Sequence, residues 1–586
     1  MIKFVNLFLI RKFFYVIVFA IFGGLMLVTF PNLGGGGLLQ PFNAVVWIGF
    51  TALVAISLWP ITKGVILLSR FHSFLGGVLI FLWLPFIWSW SESSVIALPR
   101  MLGLLAGAAL LVGVFQLKLT DRDWWWVGLS ILTGVLVQSF LGYLQYYILP
   151  PENWLDYNPE KHRPFGVFRQ PNLMASFLVT GLAVSGWLLS GASRKLSCAY
   201  MLLAPAFIPA LLVLLNSRTG WVAAFISVPL VLLSLWLVDK KKSFIWLASL
   251  AAGMLLAFVI FQFEMIADGK QLKSLSEVGA RSVVYQHSLS MMLDKPILGW
   301  GYGQFEKEFL FSFADWRAGL PFNQPVITER FLGVSNFSHP HNELLFWGVE
   351  GGFLPVLAIL IFSIWLLWSI FKKAKPSESA IVLALLFPIA LHSMTEFPLY
   401  QSAVHWLTFL LLLGFVNHLC FKTRKFSYRY TFIVRFFVYV AAPFIMLFMA
   451  THLQALWYVK KVFIDKGERV VNMREVINPL GTPSFLQNMN LQLNLAAALD
   501  NENKSLVAYY SNMLEEEASI RLDLGKLNWL EQSYEFLENN EKLENIIKLR
   551  RHLYPAYEES NPEHETNEML ETGSDAKTLG VRASDI

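Results

Sequence analysis

Long stretches of mostly apolar residues recur along this chain of 586 residues and constrain its fold more than any other feature. Each has roughly the 17–25 residues that an α-helix needs to cross about 30 Å of hydrocarbon. Hydrophobic residues make up 55% of the sequence and charged residues 15%, which excludes an ordinary soluble domain. We predict an all-α polytopic membrane protein with about thirteen spans, near residues 13–30, 41–59, 74–90, 97–117, 124–149, 172–190, 198–215, 220–238, 244–263, 344–371, 380–395, 403–419 and 431–453.

Lysine and arginine cluster in alternate loops between these spans, as the positive-inside trend requires of cytoplasmic loops. This register predicts a cytoplasmic N-terminus and a C-terminal tail on the opposite, outer side. The first stretch resembles a signal sequence, but no small-residue cleavage site follows it, so we expect a retained helix. The six basic loops that agree on the register lie at 63–70, 118–122, 194–195, 240–242, 372–375 and 422–429.

The register also predicts the domain organisation. Residues 1–455 form a transmembrane domain with an outer loop at 264–343, residues 456–560 form a small helical domain, and residues 561–586 form a polar, disordered tail. The two cysteines both fall near the cytoplasmic face, far apart in the chain, so neither a disulfide nor a thiol metal site is expected. The net charge of +5 is modest and gives no indication of nucleic-acid binding.

Four polar stretches lie on the predicted outer side. They read "RPFGVFRQPNLMASF", "NSRTG", "GARSVVYQHSLSMMLDKPILGWGYGQF" and "SHPHNE", the last followed downstream by "HSMTEFPLYQ". The candidate site residues in them are Arg163, Arg169, Gln170, Asn172, Arg218, Arg281, His339, His341, Asn342, Glu343 and Glu396.

The outer-side arginines oppose the charge trend, and arginine near a membrane is costly unless it is paired or functional. Arg218 either extends its guanidinium to lipid headgroups or holds a ligand. Arg281 either pairs within a loop helix or holds a ligand. For Arg100 and Arg435, inside apolar spans, a structural ion pair is favoured.

Three roles are open to His339 and His341. Two residues apart in an extended segment, they point to one side. With Glu343 they could ligate a metal, or one could cap the following helix. A role in orienting or deprotonating a substrate hydroxyl is favoured, because the outer loops offer no compact third and fourth metal ligand.

Arginine and histidine outside the cytoplasm, away from nucleotide triphosphates, suit a lipid-linked sugar diphosphate as substrate. The diphosphate is a leaving group of low basicity that needs positive charge rather than a general acid. Arginine supplies a permanent charge and a fork of donors for phosphate oxygens. A Mg²⁺ site would need carboxylates, and the Asp-x-Asp at 121–123 lies on the cytoplasmic side.

The same motifs resemble the O-antigen ligase/polymerase (Wzy_C) superfamily, and most closely its pilin-glycosylating O-oligosaccharyltransferase branch (PglL type). "RPFGVFRQPNLMASF" resembles the branch's Gly-x-x-x-Gln-x-Asn-x-x-Ala helix start, although Arg169 stands where uncharged residues are also common. "DKPILGWGYGQF" and "SHPHNELL" resemble the superfamily's Pro-x-x-Gly-x-Gly-x-x-x-Phe and His-Asn-Glu signatures. "HSMTEFPLYQSAVHW" resembles a His-Ser…Glu-x-Pro segment of the protein-glycosylating branch.

The resemblance implies a bacterial inner-membrane glycosyltransferase of GT-C type, inverting and metal-independent, with no cofactor. Its donor would be an undecaprenyl diphosphate-linked oligosaccharide, and its acceptor Ser/Thr hydroxyls of a periplasmic, pilin-like protein. Arg218 and Arg281 would hold the diphosphate and His341 would engage the acceptor hydroxyl. The other candidates would bind substrate, and the role of His392 is open.

Several rival functions fit the same sequence. An O-antigen ligase acting on lipid A-core and an O-antigen polymerase share the chemistry; the large tail and "TEFPLYQ" favour a protein acceptor. A flippase or transporter for the lipid-linked glycan would need polar residues spread through the spans, whereas here they cluster at one face. A scaffold without chemistry is the remaining alternative.

Overall fold

The structure is a computed structural model that describes residues 7–151, 153–267, 281–319, 337–464, 475–555 and 557. The tail predicted to be disordered, 561–586, lies outside the described residues, as do 268–280 and 320–336 of the predicted outer loop.

The prediction of an all-α membrane protein with about thirteen spans is confirmed. The described residues contain thirteen helical segments that are long and apolar enough to cross a membrane. They are Leu7–Leu27, Pro41–Lys63, Arg70–Ser89, Ser94–Gln116, Asp121–Tyr147, Pro171–Gly191, Lys195–Leu215, Arg218–Val238, Lys240–Gln262, Phe353–Lys373, Pro376–Ser393, Ala403–Cys420 and Thr431–Lys461.

Shorter elements complete the described secondary structure. Strands Val65–Leu68 and Arg424–Ser427 pair antiparallel. The remaining α-helices are Arg281–Asp294, Phe305–Ala318, Glu343–Gly351, Pro398–Gln401, Pro483–Asp500, Lys504–Ile520, Leu524–Phe536 and Asn540–Leu553.

One predicted span is wrong in its first part. The apolar run 344–371 was expected to be a single helix, but a short helix ends at Gly351 and the span begins at Phe353. Gly352 between them has φ +75°, a left-handed conformation that interrupts an α-helix. A Cβ there would lie 2.4 Å from the carbonyl oxygen of Ile297, so the break also allows a close backbone approach.

The chain divides into two compact units. The first comprises residues 1–81, 100–277 and 357–456; the second comprises residues 82–99, 278–356 and 457–586.

The first unit is built around the helix Pro171–Gly191, which is buried along most of its length. Its sequence supplies small residues where neighbours approach: a Cβ on Gly181 would lie 2.2 Å from Val135, and one on Gly186 would lie 2.3 Å from Val231. Small residues let helices in a membrane pack closely. The helices that contact it include Asp121–Tyr147, Lys195–Leu215, Arg218–Val238 and Pro376–Ser393.

In the second unit, the buried Glu350 connects a glycine-rich loop to the helix Glu343–Gly351. Its Oε1 accepts hydrogen bonds from the backbone N–H groups of Gly303 (3.0 Å) and Phe305 (3.3 Å). Phe305 begins the helix Phe305–Ala318, so the carboxylate satisfies N-terminal amides that the helix itself leaves unpaired. Gly303, at φ +81°, leaves no room for a side chain, since a Cβ would lie 1.9 Å from the carbonyl oxygen of Ser93.

The tail helices of the second unit pack on the helix Phe305–Ala318. Arg317 donates to the carbonyl of His552 (2.7 Å), and Asp315 pairs with the His552 ring (2.9 Å). Leu310 and Ala314 are buried against tail residues. Arg521 pairs with Glu306 (2.9 Å), and Lys307 Nζ donates to the carbonyl oxygen of Ser519 (2.8 Å).

Removing the Glu350 carboxylate tests its role in stability. We expect Glu350→Ala to lower the free energy of unfolding by about 2–4 kcal/mol, because two buried backbone N–H groups lose their acceptor. Glu350→Gln should cost less, since an amide oxygen can still accept. Thermal unfolding followed by tryptophan fluorescence measures the change, with the exposed Glu92→Ala as control. Equal stability of Glu350→Ala and Glu92→Ala would contradict the assignment.

His287 makes the second unit sensitive to acid. Burial lowers its pKa to about 4, although Asp294 acts in the opposite direction. Its ring lies among Phe309, Phe313 and Trp316, with Nε2 2.9 Å from Ser312 Oγ.

Because the folded state lowers this pKa, the neutral ring stabilises the fold fully above the unfolded value near 6.5. That stability should decline as the pH falls from about 6.5 through 4. Unfolding temperatures across this range should therefore fall less steeply in His287→Gln than in the wild type; parallel curves would disprove the linkage.

Candidate functional site

The predicted site residues fall in both units. Arg163, Arg169, Gln170, Asn172, Arg218 and Glu396 belong to the first unit, and Arg281, His339, His341, Asn342 and Glu343 belong to the second.

Glu396 is the centre of the first group. It follows the helix Pro376–Ser393 and is only 2% exposed. Its Oε2 accepts from Gln170 Nε2 (2.6 Å) and its Oε1 from Asn172 Nδ2 (2.6 Å), while His392 Nε2 lies 3.1 Å from Oε2. The sequence predicted that Gln170 and Asn172 bind substrate. In the structure both side-chain NH₂ groups donate to a buried carboxylate, so these residues fix the chain at the start of the helix Pro171–Gly191. Substrate binding by Gln170 and Asn172 stays a prediction.

A buried polar chain continues from His392 into the membrane domain. Ser176 Oγ lies 2.7 Å from His392 Nδ1 and 3.2 Å from His405 Nε2. His405 Nε2 is also 2.9 Å from the carbonyl oxygen of Leu173, which can only accept, so His405 carries its proton on Nε2. Ser176 Oγ also donates to the carbonyl oxygen of Leu173 (3.1 Å).

The sequence analysis missed Ser176 and His405. Ser176 lies one helical turn after Asn172, a spacing that places both side chains on one face. His405 lies nine residues beyond Glu396, past the short helix Pro398–Gln401, and no local pattern links the two positions.

Asn172 also joins two helix N-termini. Its Oδ1 accepts from Ser217 Oγ (2.7 Å), and Ser217 caps the helix Arg218–Val238 by accepting from Gly220 N (3.2 Å). Arg218 is the first residue of that helix. Helix N-termini carry partial positive charge and free N–H groups, so two of them beside Arg218 favour an anion.

Arg163 and Arg169 make protein contacts. Arg163 Nη1 donates to the carbonyl oxygens of Leu215 and Asn216 (both 2.8 Å), which places it beside the turn before Arg218. Burial lowers the pKa of Arg163 below its ordinary value, and the charge of Glu396 offsets part of this shift. Arg169 pairs with Asp156 (3.0 Å) and so points along its own loop.

His341 is the centre of the second group. It has φ +55° and directly precedes Asn342, whose Oδ1 caps the helix Glu343–Gly351 by accepting from Leu345 N (3.0 Å). The ring of His339 lies with its centroid 4.4 Å from that of His341. The expectation of an extended segment is wrong at His341, because its φ of +55° is a left-handed conformation. The cap of this helix is therefore Asn342 rather than a histidine.

Tyr285 brings the helix of Arg281 to His341. Its hydroxyl donates to the carbonyl oxygen of His341 (2.9 Å). Arg281, the first residue of the helix Arg281–Asp294, is four residues before Tyr285, so both lie on the same helix face. The sequence analysis missed Tyr285. Glu343 accepts from Trp347 Nε1 (3.0 Å), a contact within its own helix.

Metal ligation finds no support in these two groups. Within the described ranges, no three His, Cys, Asp or Glu side chains are arranged to hold a metal ion. Metal independence of the reaction stays a prediction.

Comparison with known proteins confirms the predicted resemblance. Residues 198–360 match the O-antigen ligase family, residues 164–189 match the protein glycosylation ligase family, and residues 380–560 match the C-terminal part of the virulence factor membrane-bound polymerase family. A general O-oligosaccharyltransferase of Acinetobacter baylyi is 26% identical over 278 residues. The aligned region covers 44% of this chain and 44% of that relative.

The polar network around Glu396 can be tested by coupling. Glu396→Gln should lower the free energy of unfolding by about 1–3 kcal/mol, because an amide NH₂ would face the NH₂ groups of Gln170 and Asn172. Asn172→Ala should cost a similar amount, and the double variant should cost less than the sum by about 0.5–3 kcal/mol. Thermal unfolding measures all three variants. Glu378→Gln, which breaks a surface pair with Lys375, is the control. Strict additivity would show that Glu396 and Asn172 do not interact.

Proposed function

We propose that this protein, which resembles the O-antigen ligase and protein glycosylation ligase families, is an O-oligosaccharyltransferase. It moves a glycan en bloc from undecaprenyl diphosphate to Ser/Thr hydroxyls of periplasmic proteins such as pilin. The observation that carries the proposal is the pair of helix N-termini joined by Asn172 and Ser217, with Arg218 at the start of one of them. That arrangement suits a diphosphate. The name of the Acinetobacter baylyi relative supports transfer to an O-linked acceptor.

The proposed chemistry is a single inverting displacement. The acceptor oxygen attacks the anomeric carbon from the side opposite the diphosphate, and His341 takes the hydroxyl proton as the new bond forms. The electron pair of the broken bond leaves on the diphosphate oxygen. Arg218 and Arg281 stabilise the negative charge that develops there, which removes the need for a metal ion.

The residues of the Glu396 network position the charged groups in this proposal. Asn172 donates to Glu396 through Nδ2 and accepts from Ser217 through Oδ1. Glu396 is therefore linked through Asn172 to Ser217, the cap of the helix that begins at Arg218. Tyr285 acts similarly on His341 by fixing the backbone oxygen of that residue. In this proposal, Asn172 and Tyr285 each fix the segment that carries a reactive group, which is Arg218 in the first case and His341 in the second.

Ligation onto lipid A-core and O-antigen polymerisation are the second candidate, because residues 198–360 and 380–560 match ligase and polymerase families. They require the same arginines and histidine and differ only in the acceptor. Incubation with pilin and with lipid A-core in parallel separates them.

We further propose a bacterial inner-membrane location, with a cytoplasmic N-terminus and the helical tail in the periplasm. The alternation of basic loops supports this orientation. Residues 1–455 would then act as the transferase domain and residues 456–560 as the periplasmic helical domain.

Transfer by purified protein tests the roles of His341, Arg218 and Arg281. With lipid-linked glycan and pilin as substrates, His341→Ala should lose about 10²–10⁴-fold in rate while still binding the donor. Arg218→Ala or Arg281→Ala should lose about 10²–10³-fold, and Lys should rescue poorly because it cannot form a forked contact. Mass spectrometry of the pilin measures transfer.

The exposed Arg194→Ala should transfer at the wild-type rate and serves as the matched control. Full activity of His341→Ala combined with loss in His339→Ala would reassign the base. Inhibition of the wild type by a chelator would contradict the metal-free mechanism and favour a metal-dependent one.

A further inference from the structure

An exposed apolar surface of the second unit lies outside the groups already described. It joins the end of the span Arg70–Ser89 to the loop 295–298. Ile87 is 78% exposed, Trp90 64%, Ile297 77% and Leu298 55%, and Trp88 Nε1 donates to the carbonyl oxygen of Leu298 (3.0 Å). We call Ile87, Trp88, Trp90, Ile297 and Leu298 the wedge.

The helix Arg281–Asp294, which directly precedes the loop 295–298, carries two more exposed leucines. Leu289 and Leu293, one turn apart on that helix, are 46% and 59% exposed. Large apolar side chains in such a continuous patch mark a surface that is covered by a partner.

We infer that the wedge docks into the lipid of the bilayer at the level where the span Arg70–Ser89 ends. Trp88 and Trp90 stand at that end, and tryptophan is enriched at membrane–water interfaces. Lys295, exposed and stacked 3.6 Å above the Trp300 ring, provides a positive charge for phosphate headgroups. The surface is continuous with a membrane span, which favours lipid over a protein partner.

The loop is hydrogen-bonded to the helix that follows His341, to the first residue of the next span and to the helix that begins at Arg281. Phe353 N donates to the Pro296 carbonyl (2.7 Å), and Trp300 N donates to the Val349 carbonyl (2.8 Å). Trp300 Nε1 donates to the carbonyl of Met291 in the Arg281 helix (2.8 Å). A wedge embedded in lipid therefore fixes the depth of both helices relative to the bilayer surface. Its effect on glycan transfer rests on the function proposed above.

Fluorescence quenching in the full chain tests the docking. A polarity-sensitive fluorophore is attached to Ile297→Cys in a background with Cys198→Ser and Cys420→Ala, and the protein is reconstituted into phosphatidylethanolamine/phosphatidylglycerol vesicles. We expect a blue-shifted emission that nitroxide lipids quench and aqueous iodide does not. The control, Leu480→Cys in the tail, starts from a side chain that is 69% exposed and should show the reverse. Quenching of position 297 by iodide alone, or by neither quencher, would overturn the inference.

Charge substitution gives the functional readout. Ile297→Glu with Leu298→Glu should reduce transfer from the lipid-linked donor in vesicles by about 10–100-fold, because misplacing reactive groups by ~1 Å has effects of that size. Leu480→Glu should leave transfer unchanged. Lipid quenching at position 297 together with unaltered transfer in the charged variant would show that the wedge enters lipid but does not set the depth of the helices. Absence of any transfer by the wild type would refute the proposed function and leave the quenching result standing.

Discussion

The hydrogen bonds to the Glu396 carboxylate hold together the polar centre of the first unit. A carboxylate that is 2% exposed inside a membrane protein is costly unless donors replace its water, and here Gln170, Asn172 and His392 do so. These donors come from distant parts of the chain, so the carboxylate joins the start of one helix to the end of another. The start of a third helix is reached through Ser217. The polar residues of the first unit that contact Glu396 therefore form one connected network.

Glu350 plays an analogous part in the second unit, with backbone rather than side-chain donors. Glu350 and Glu396 belong to polar motifs that suggest chemistry when read as sequence, and both are at most 2% exposed. Both acids already accept hydrogen bonds from the protein, Glu350 from two backbone N–H groups and Glu396 from two side-chain amides. In the proposed transfer the charged and basic groups are instead Arg218, Arg281 and His341, which are half-buried.

Much of the fold could be predicted because membrane thickness fixes the length of a spanning helix, and the length of each apolar stretch can be counted in the sequence. The left-handed conformation of His341 could not be predicted, because positive φ at a residue other than glycine is uncommon and has no sequence pattern here. The helix break at Gly352 was missed because the apolar run is long enough for one continuous span, although a Gly-Gly pair is typical of a turn. Tyr285 and His405 were missed because their contacts join residues 56 and 232 positions apart, to His341 and Leu173. Sequence periodicity reports neighbours along one element, whereas these contacts depend on how separate elements pack.

The attachment of the helix Phe305–Ala318 to the tail has a consequence for biogenesis. Arg317 and its acceptor His552 are 235 residues apart, so the helix leaves the ribosome well before its partner is made. At about 5–20 residues per second, the interval is roughly 10–50 s. During that time Leu310 and Ala314 lack the tail residues that later bury them. The nascent chain thus exposes apolar side chains until the tail helices have been synthesised, and during this interval a chaperone would protect it from aggregation.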